Sequence, residues 1–285
     1  MLRRSAIATL LAAGPWAQAQ GTKSLSAYFE GAHGTALLVD VQSRRLIAAH
    51  AGDLAASAVA LPGSTVKPFA IAALLESGKL RARDGWRCPG QLWIAGRAFA
   101  CTHPPIAEPL EAHSAIAYSC NNFVAHFAER FELGELPLAL GRYGITSRTG
   151  WFGAQEASGE LRPVDDRLLA LGEDGIEVTP AGLAAAYRRL ALSSGRTILA
   201  PVLAGLEEAV EYGTAQHAKV AGWKVAGKTG SVTAGDGARV AWFAGFAPSH
   251  APAVAVAVML QGRSGGADAA PIAGKILDAW REGKL

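Results

Sequence analysis

The placement of strand-like segments constrains this chain more than any other feature. Thr35 to Val41 and Arg45 to His50 are apolar-rich runs joined by the short polar turn Gln42-Ser43-Arg44, which predicts a β-hairpin. Three more such runs, Trp223 to Thr233, Ala238 to Ala247 and Ala253 to Leu260, come only near the other end, separated by Gly, Asp, Ser and Pro turns. Between them, from about Leu80 to Ala200, the pattern is mostly helical. It includes Leu110 to Phe131 and Thr179 to Ser194, where Thr179 caps a helix opened by Pro180. The strands at the two ends are expected to meet in one sheet. The predicted organisation is therefore a sheet lobe from about 30–60 and 205–285, a helical lobe from about 80–200, and a last helix from about Ala270 to Trp280.

Half of the residues are hydrophobic and 18% are charged, a balance that excludes a disordered chain. The formal charge of +3 is mild, and no basic run interleaved with aromatics tracks a phosphate backbone, so nucleic acid is not an expected partner. Gly262 to Ala267 reads as a turn, because it lacks the strand, spacing and helix of a nucleotide loop. Met1-Leu2-Arg3-Arg4, the apolar stretch Ala6 to Ala13 and Ala17-Gln18-Ala19 have the pattern of a secretory leader cleaved after Ala19. The apolar stretch falls well short of the roughly 20 residues a membrane span needs, so no retained span is expected and residues 20–285 form the exported, periplasmic or extracellular, mature chain.

Pro62-Gly63 breaks the chain just before Ser64 to Ser77, whose alanines, leucines and isoleucine recur at helical spacing until Gly78. Ser64 thus heads a helix, and Pro68 predicts a distorted first turn. A serine hydroxyl is a weak nucleophile that needs a base within reach, and Lys67 lies one turn away on the same face. Lys67 serves only as a neutral amine, which burial and a second cation favour; Lys228 is the expected cation. Ser64-Thr65-Val66-Lys67 is followed in order by Ser119-Cys120-Asn121 and Lys228-Thr229-Gly230, and the only asparagines in the chain are Asn121 and Asn122.

Of the three cysteines, Cys88 and Cys101 are placed to bridge a short loop in an oxidising compartment, with Cys120 left over. Cys120 reads as a structural or lining residue, since no histidine motif accompanies it. A zinc reading through Cys88, Cys101, His103 and His113 matches no common finger spacing, so no metal is expected.

The three motifs resemble those of penicillin-recognising serine enzymes. Leu61-Pro62-Gly63-Ser64-Thr65-Val66-Lys67-Pro68-Phe69 is similar to the nucleophile segment of penicillin-binding transpeptidase domains. Tyr118-Ser119-Cys120-Asn121-Asn122-Phe123 and Val225-Ala226-Gly227-Lys228-Thr229-Gly230-Ser231 are similar to the second and third motifs. Val178-Thr179-Pro180 and Trp242 to Pro248 extend the resemblance over about Gly34 to Trp280, the catalytic half of large transpeptidases. It implies an α+β fold of the β-lactamase/transpeptidase-like type, a five-stranded antiparallel sheet flanked by helices with an inserted, mainly helical lobe.

The resemblance also implies roles. Ser64 attacks a D-alanyl-D-alanine peptide or a β-lactam, Lys67 takes its proton and Ser119 relays a proton to the leaving group. Asn121 holds the substrate amide, Lys228 and Thr229 meet its carboxylate, Gly230 lets substrate approach the strand, and the amides of Ser64 and Ser231 form an oxyanion hole. The expected partners are peptidoglycan stem peptides and β-lactams, with no cofactor. A D,D-transpeptidase is the leading expectation, a D,D-carboxypeptidase or weak β-lactamase the second, and a β-lactam-sensing or partner-binding module without turnover the third. Efficient β-lactam hydrolysis is disfavoured, because the glutamate motif ending in asparagine is absent, and Tyr143-Gly144-Ile145 stands where hydrolytic relatives carry Tyr-Gly-Asn.

Overall fold

The computed structural model describes residues 22–234 and 237–285; the expected leader lies outside them. Strands β1 (Lys23–Ser24), β2 (Gly34–Asp40), β3 (Leu46–His50), β4 (Ala226–Thr233), β5 (Arg239–Ala247) and β6 (Val254–Gln261) form one sheet in the order β1-β3-β2-β6-β5-β4. The N-terminal hairpin and the C-terminal strands join where β6 pairs antiparallel with β2, Val256 opposite Leu38 and Leu260 opposite Gly34. The sheet has one strand more than expected. Lys23–Ser24 hangs in parallel on β3, which makes the sheet mixed, and two exposed polar residues leave no periodic signal to read.

Both faces of the sheet are covered, which explains why its strands read as unbroken apolar runs. Leu37, Val39, Trp242, Ala244, Ala255 and Ala257 point into a core shared with helices α1 (Lys67–Glu76) and α4 (Pro180–Ser193). Their alternates Ala36, Leu38, Ala241, Phe243, Val256 and Val258 pack with Ile272, Ile276 and Leu277 of α6 (Ala270–Arg281). Helix α1 is buried at every position from Lys67 to Leu75, the signature of a helix through the middle of a core. Its lysine is therefore carried into apolar surroundings by the packing of its neighbours.

The helical lobe departs from the expectation at two places. It contains two small ribbons, Gln91–Ile94 with Arg97–Ala100 and Glu160–Leu161 with Ile176–Glu177. The predicted helix over Leu110 to Phe131 is broken into α2 (Ala112–Ala117) and α3 (Asn121–Ala128). Ser119 sits at the break with φ +57°, a left-handed conformation that no continuous helix tolerates. Helix α5 (Ala200–Glu211) packs on α2 so closely that a Cβ on Gly205 would lie 2.5 Å from the His113 carbonyl oxygen. Among the described residues no helix is long and apolar enough to cross a membrane.

Candidate active site

The first turn of the nucleophile segment is a 3₁₀ turn, Gly63–Val66, running into α1 at Lys67, as Pro68 requires. Gly63 has φ +53°, and a side chain there would meet Val232 Cγ1 at 2.7 Å. Three long-range hydrogen bonds hold this turn. Gly63 N donates to Gly172 O at 3.1 Å, Tyr187 Oη donates to Thr65 O at 2.8 Å, and Trp242 Nε1 donates to Leu61 O at 3.0 Å. Gly172 has φ +71°, and its Cβ would collide with Gly63 O at 2.2 Å, so glycine is required on both sides of that contact. Ser64 is left half-buried, the partly open position between buried Gly63 and Thr65.

The sequence places Lys67 one turn from Ser64, and the structure fixes where its amine points. Lys67 has no exposed surface, and its Nζ donates to Ser119 O at 2.7 Å, Asn121 Oδ1 at 2.5 Å and Ser119 Oγ at 3.3 Å. The left-handed turn at Ser119 is what presents its carbonyl and hydroxyl to the amine together. Asn121 Nδ2 donates to Ala100 O at 2.9 Å, which fixes the amide orientation and leaves Oδ1 for the lysine. Two of the three oxygens are carbonyls that only accept. A neutral Lys67 keeps both contacts with its two hydrogens and has its lone pair left for a hydroxyl.

Burial lowers the Lys67 pKa to about 8. Cys120, Cys101 and the partly buried Glu173 act in the opposite direction, with smaller effects. Burial, not the expected cation Lys228, is the leading cause, and the two buried amines repel one another. The Lys228 pKa falls well below its usual value, first through burial and then through Lys67.

The third motif lies on β4, the edge strand of the sheet. Lys228 Nζ reaches Thr214 Oγ1 at 3.3 Å and its neighbour's carbonyl, Thr229 O, at 3.2 Å. Thr229 Oγ1 donates to Thr214 Oγ1 at 2.9 Å. Gly230 is wedged against the nucleophile segment: a Cβ there would lie 2.5 Å from Pro62 O and 3.0 Å from Thr65 Cγ2. Its bare backbone thus serves the approach of Pro62 and Thr65, a requirement apart from any substrate. Ser231 is exposed, and its Oγ accepts from Gly265 N at 2.9 Å. The Ser231 backbone lies against the same turn, since a Cβ on Gly63 would come within 3.4 Å of its nitrogen.

Sequence reasoning missed several residues here. Thr214 follows α5 at a loop where Gly213 packs against Ala117 so closely that a Cβ would lie 2.2 Å from its carbonyl. No local pattern marks it. Tyr187, Gly172 and Glu173 are likewise visible only once the chain is folded. Cys88 and Cys101 are both free, so the expected bridge is absent from this structure, and the Cys101 sulfur lies 3.8 Å from that of Cys120 instead. A disulfide requires sulfurs about 2 Å apart. The hairpin that ends at Ala100 turns Cys101 towards the start of α3.

Residues 34–278 match the family model described as the penicillin binding protein transpeptidase domain. The chain is 28% identical over 269 residues to Stage V sporulation protein D of Bacillus subtilis, covering 76% of this chain and 41% of that protein. It is 26% identical over 277 residues to the Peptidoglycan D,D-transpeptidase PbpA of Mycobacterium tuberculosis, covering 78% of this chain and 55% of that protein. The chain thus spans about half the length of these relatives or less. Its fold is also that of the transpeptidase domain of Burkholderia pseudomallei penicillin-binding protein 3, with a TM-score of 0.81, 23% identity and 92% of each chain covered. The protein belongs to the penicillin-binding protein transpeptidase domain family.

Proposed function

We propose that this protein is a serine D,D-transpeptidase acting on D-alanyl-D-alanine stem peptides of peptidoglycan, and that β-lactams acylate the same serine. One observation carries the reading: a fully buried lysine, one turn from a half-exposed serine, whose amine is held by the carbonyl oxygens of Ser119 and Asn121. Ser64 Oγ is the nucleophile and neutral Lys67 takes its proton. Ser119 Oγ, 3.3 Å from Lys67 Nζ, carries that proton to the leaving amine. The Ser64 amide stands in the first turn of a helix, where no intrahelical acceptor claims it, and with the Ser231 amide it supplies the oxyanion donors. Lys228, Thr229 and Thr214 form an amine and two hydroxyls suited to the terminal carboxylate, whose arrival favours the charged form of the amine. Such a substrate lies outside the cytoplasm, in agreement with the expected leader.

The test is incubation of wild type and Ser64→Ala with a fluorescent penicillin, followed by a donor–acceptor stem-peptide assay. A lasting adduct on wild type alone, with peptide crosslinks formed, is the expected outcome. No adduct on wild type sinks the whole reading. Rapid release of the adduct points to hydrolysis, and a lasting adduct without crosslinks leaves a β-lactam sensor or partner-binding module.

A further inference from the structure

Cys88, Cys101, Cys120 and His103 gather on one side of the second motif, with Sγ and ring-nitrogen atoms all within 4.8 Å of one another. We propose that these four residues bind one zinc ion, a tetrahedral Cys₃His site that clips the hairpin of the helical lobe to the start of α3. The donor set is that of structural zinc, three sulfurs and one imidazole. Around a tetrahedral zinc, sulfurs at about 2.3 Å from the metal stand about 3.8 Å apart. The Cys101 and Cys120 sulfurs have that separation.

The imidazole is set in the right tautomer. His103 Nδ1 lies 2.9 Å from the Pro104 carbonyl oxygen, which only accepts, so the ring proton is on Nδ1 and the Nε2 lone pair is free. His103 Nε2 is buried, and no hydrogen-bond donor reaches it among the described residues. A buried ring nitrogen without a partner is costly in an apolar site and is satisfied by a metal.

Each sulfur also receives an N–H. Gly90 N donates to Cys88 Sγ at 3.3 Å, Asn122 Nδ2 to Cys101 Sγ at 3.3 Å, and Phe123 N to Cys120 Sγ at 3.4 Å. Donors aimed at sulfur stabilise thiolates, the form that ligates. The expectation against a metal rested on ligand spacing, for a set in which His113 was the fourth member. The structure places His113 Nδ1 2.7 Å from Glu208 Oε2 instead and brings in Cys120, which the sequence had left as the odd cysteine.

The position of the cluster gives it a consequence. Cys101 follows Ala100, whose carbonyl accepts from Asn121, and Cys120 precedes Asn121 itself. A metal joining Cys101 to Cys120 therefore fixes both ends of the hydrogen bond that orients the Asn121 amide towards Lys67. Binding replaces the thiol protons: three are released as the thiolates coordinate, and no electron is transferred.

The test is elemental analysis of the purified protein, prepared with zinc in the medium and without chelator, together with the absorption spectrum after cobalt replacement. The expected result is about one zinc per chain and, with cobalt, the thiolate charge-transfer and intense visible bands of a tetrahedral sulfur site. These bands weaken or disappear in Cys88→Ser and His103→Ala, two changes outside the motif residues. Wild-type protein without zinc, a Cys101 to Cys120 or Cys88 to Cys101 disulfide in the exported protein, or bands unchanged in both variants overturns the proposal. If the variants do not fold, the wild-type cobalt spectrum decides alone, because thiolate-to-cobalt bands arise only from sulfur ligands. None of these readouts depends on acyl transfer.

Discussion

Asn121 Oδ1 and Lys67 Nζ lie 2.5 Å apart, a contact that joins the second motif to the lysine of the first across more than fifty residues of chain. The carbonyl dipole accepts a hydrogen from the amine whether it is neutral or charged, so it orients Lys67 without forcing it to stay protonated. A carboxylate in the same place would stabilise the ammonium form. Asn121→Asp should therefore raise the Lys67 pKa by about one to three units, the range for an opposite charge at contact distance. Penicillin acylation near neutrality should fall about 10-fold or more and recover as the pH is raised. A variant with the wild-type pH profile would show that Asn121 does not govern the base.

The same reasoning fixes the pH dependence of the wild type. Burial brings the Lys67 pKa down to about 8, and as the proposed base the amine would act only when neutral. The second-order rate constant for acylation should rise about tenfold per pH unit below this value and level off above it. Stopped-flow acylation measured from pH 6 to 9 checks this. A flat profile across that window would exclude Lys67 as the base.

Much of this was legible in the sequence, and the division is physical. The hairpin, the three late strands and the helix after Thr179 are set by local periodicity and capping, and each lies where its pattern predicts. Thr179 Oγ1 accepts from Gly182 N at 2.9 Å, as a cap should. The break at Ser119 was not legible, because its left-handed backbone answers to Lys67 and not to its neighbours in the chain. Thr214, Tyr187 and the fourth member of the cysteine cluster were missed for the same reason. Their partners are distant in the sequence, and nothing in the residues flanking them records those contacts.

Tyr187 tests how far the nucleophile turn depends on support from outside it. Its ring is fully buried and its hydroxyl donates to Thr65 O at 2.8 Å, one residue beyond Ser64. Tyr187→Phe keeps the packing against Phe69, whose ring centroid is 5.1 Å away, but leaves a buried carbonyl without that donor. The cost should be about 1–3 kcal/mol of unfolding free energy, read by urea denaturation. Acylation should slow as well, since the carbonyl belongs to the turn that aims Ser64.

Gly230→Ala asks whether the edge strand and the nucleophile segment need their present separation. The added methyl would lie 2.5 Å from Pro62 O, a backbone atom that cannot rotate away. Either the strand or the turn must shift by several tenths of an ångström, and a displacement of that order at a reacting centre costs far more in rate than in stability. The expected result is a folded protein with acylation reduced by about 10²-fold. A variant that labels at the wild-type rate would show that the turn moves freely and that the close packing carries no catalytic weight.

Thr214 separates recognition of the carboxylate from activation of the serine. It touches neither Ser64 nor Lys67 in the hydrogen-bond network, yet it holds both groups of the third motif, Lys228 Nζ at 3.3 Å and Thr229 Oγ1 at 2.9 Å. Burial disfavours the charged form of Lys228 in the ligand-free protein, so an arriving carboxylate has to draw a proton onto that amine. Thr214 Oγ1 is one of its two hydrogen-bond acceptors among the described residues, and Thr214→Val removes it while keeping the shape of the site. The loss of one such bond to a charged group is worth about 1.5–3 kcal/mol, or roughly 10- to 150-fold in the second-order acylation constant. The effect should fall on the apparent affinity for penicillin and leave the limiting acylation rate within a few-fold of wild type, because the base and nucleophile are untouched. A drop confined to the limiting rate would place Thr214 in the chemistry of Ser64 instead.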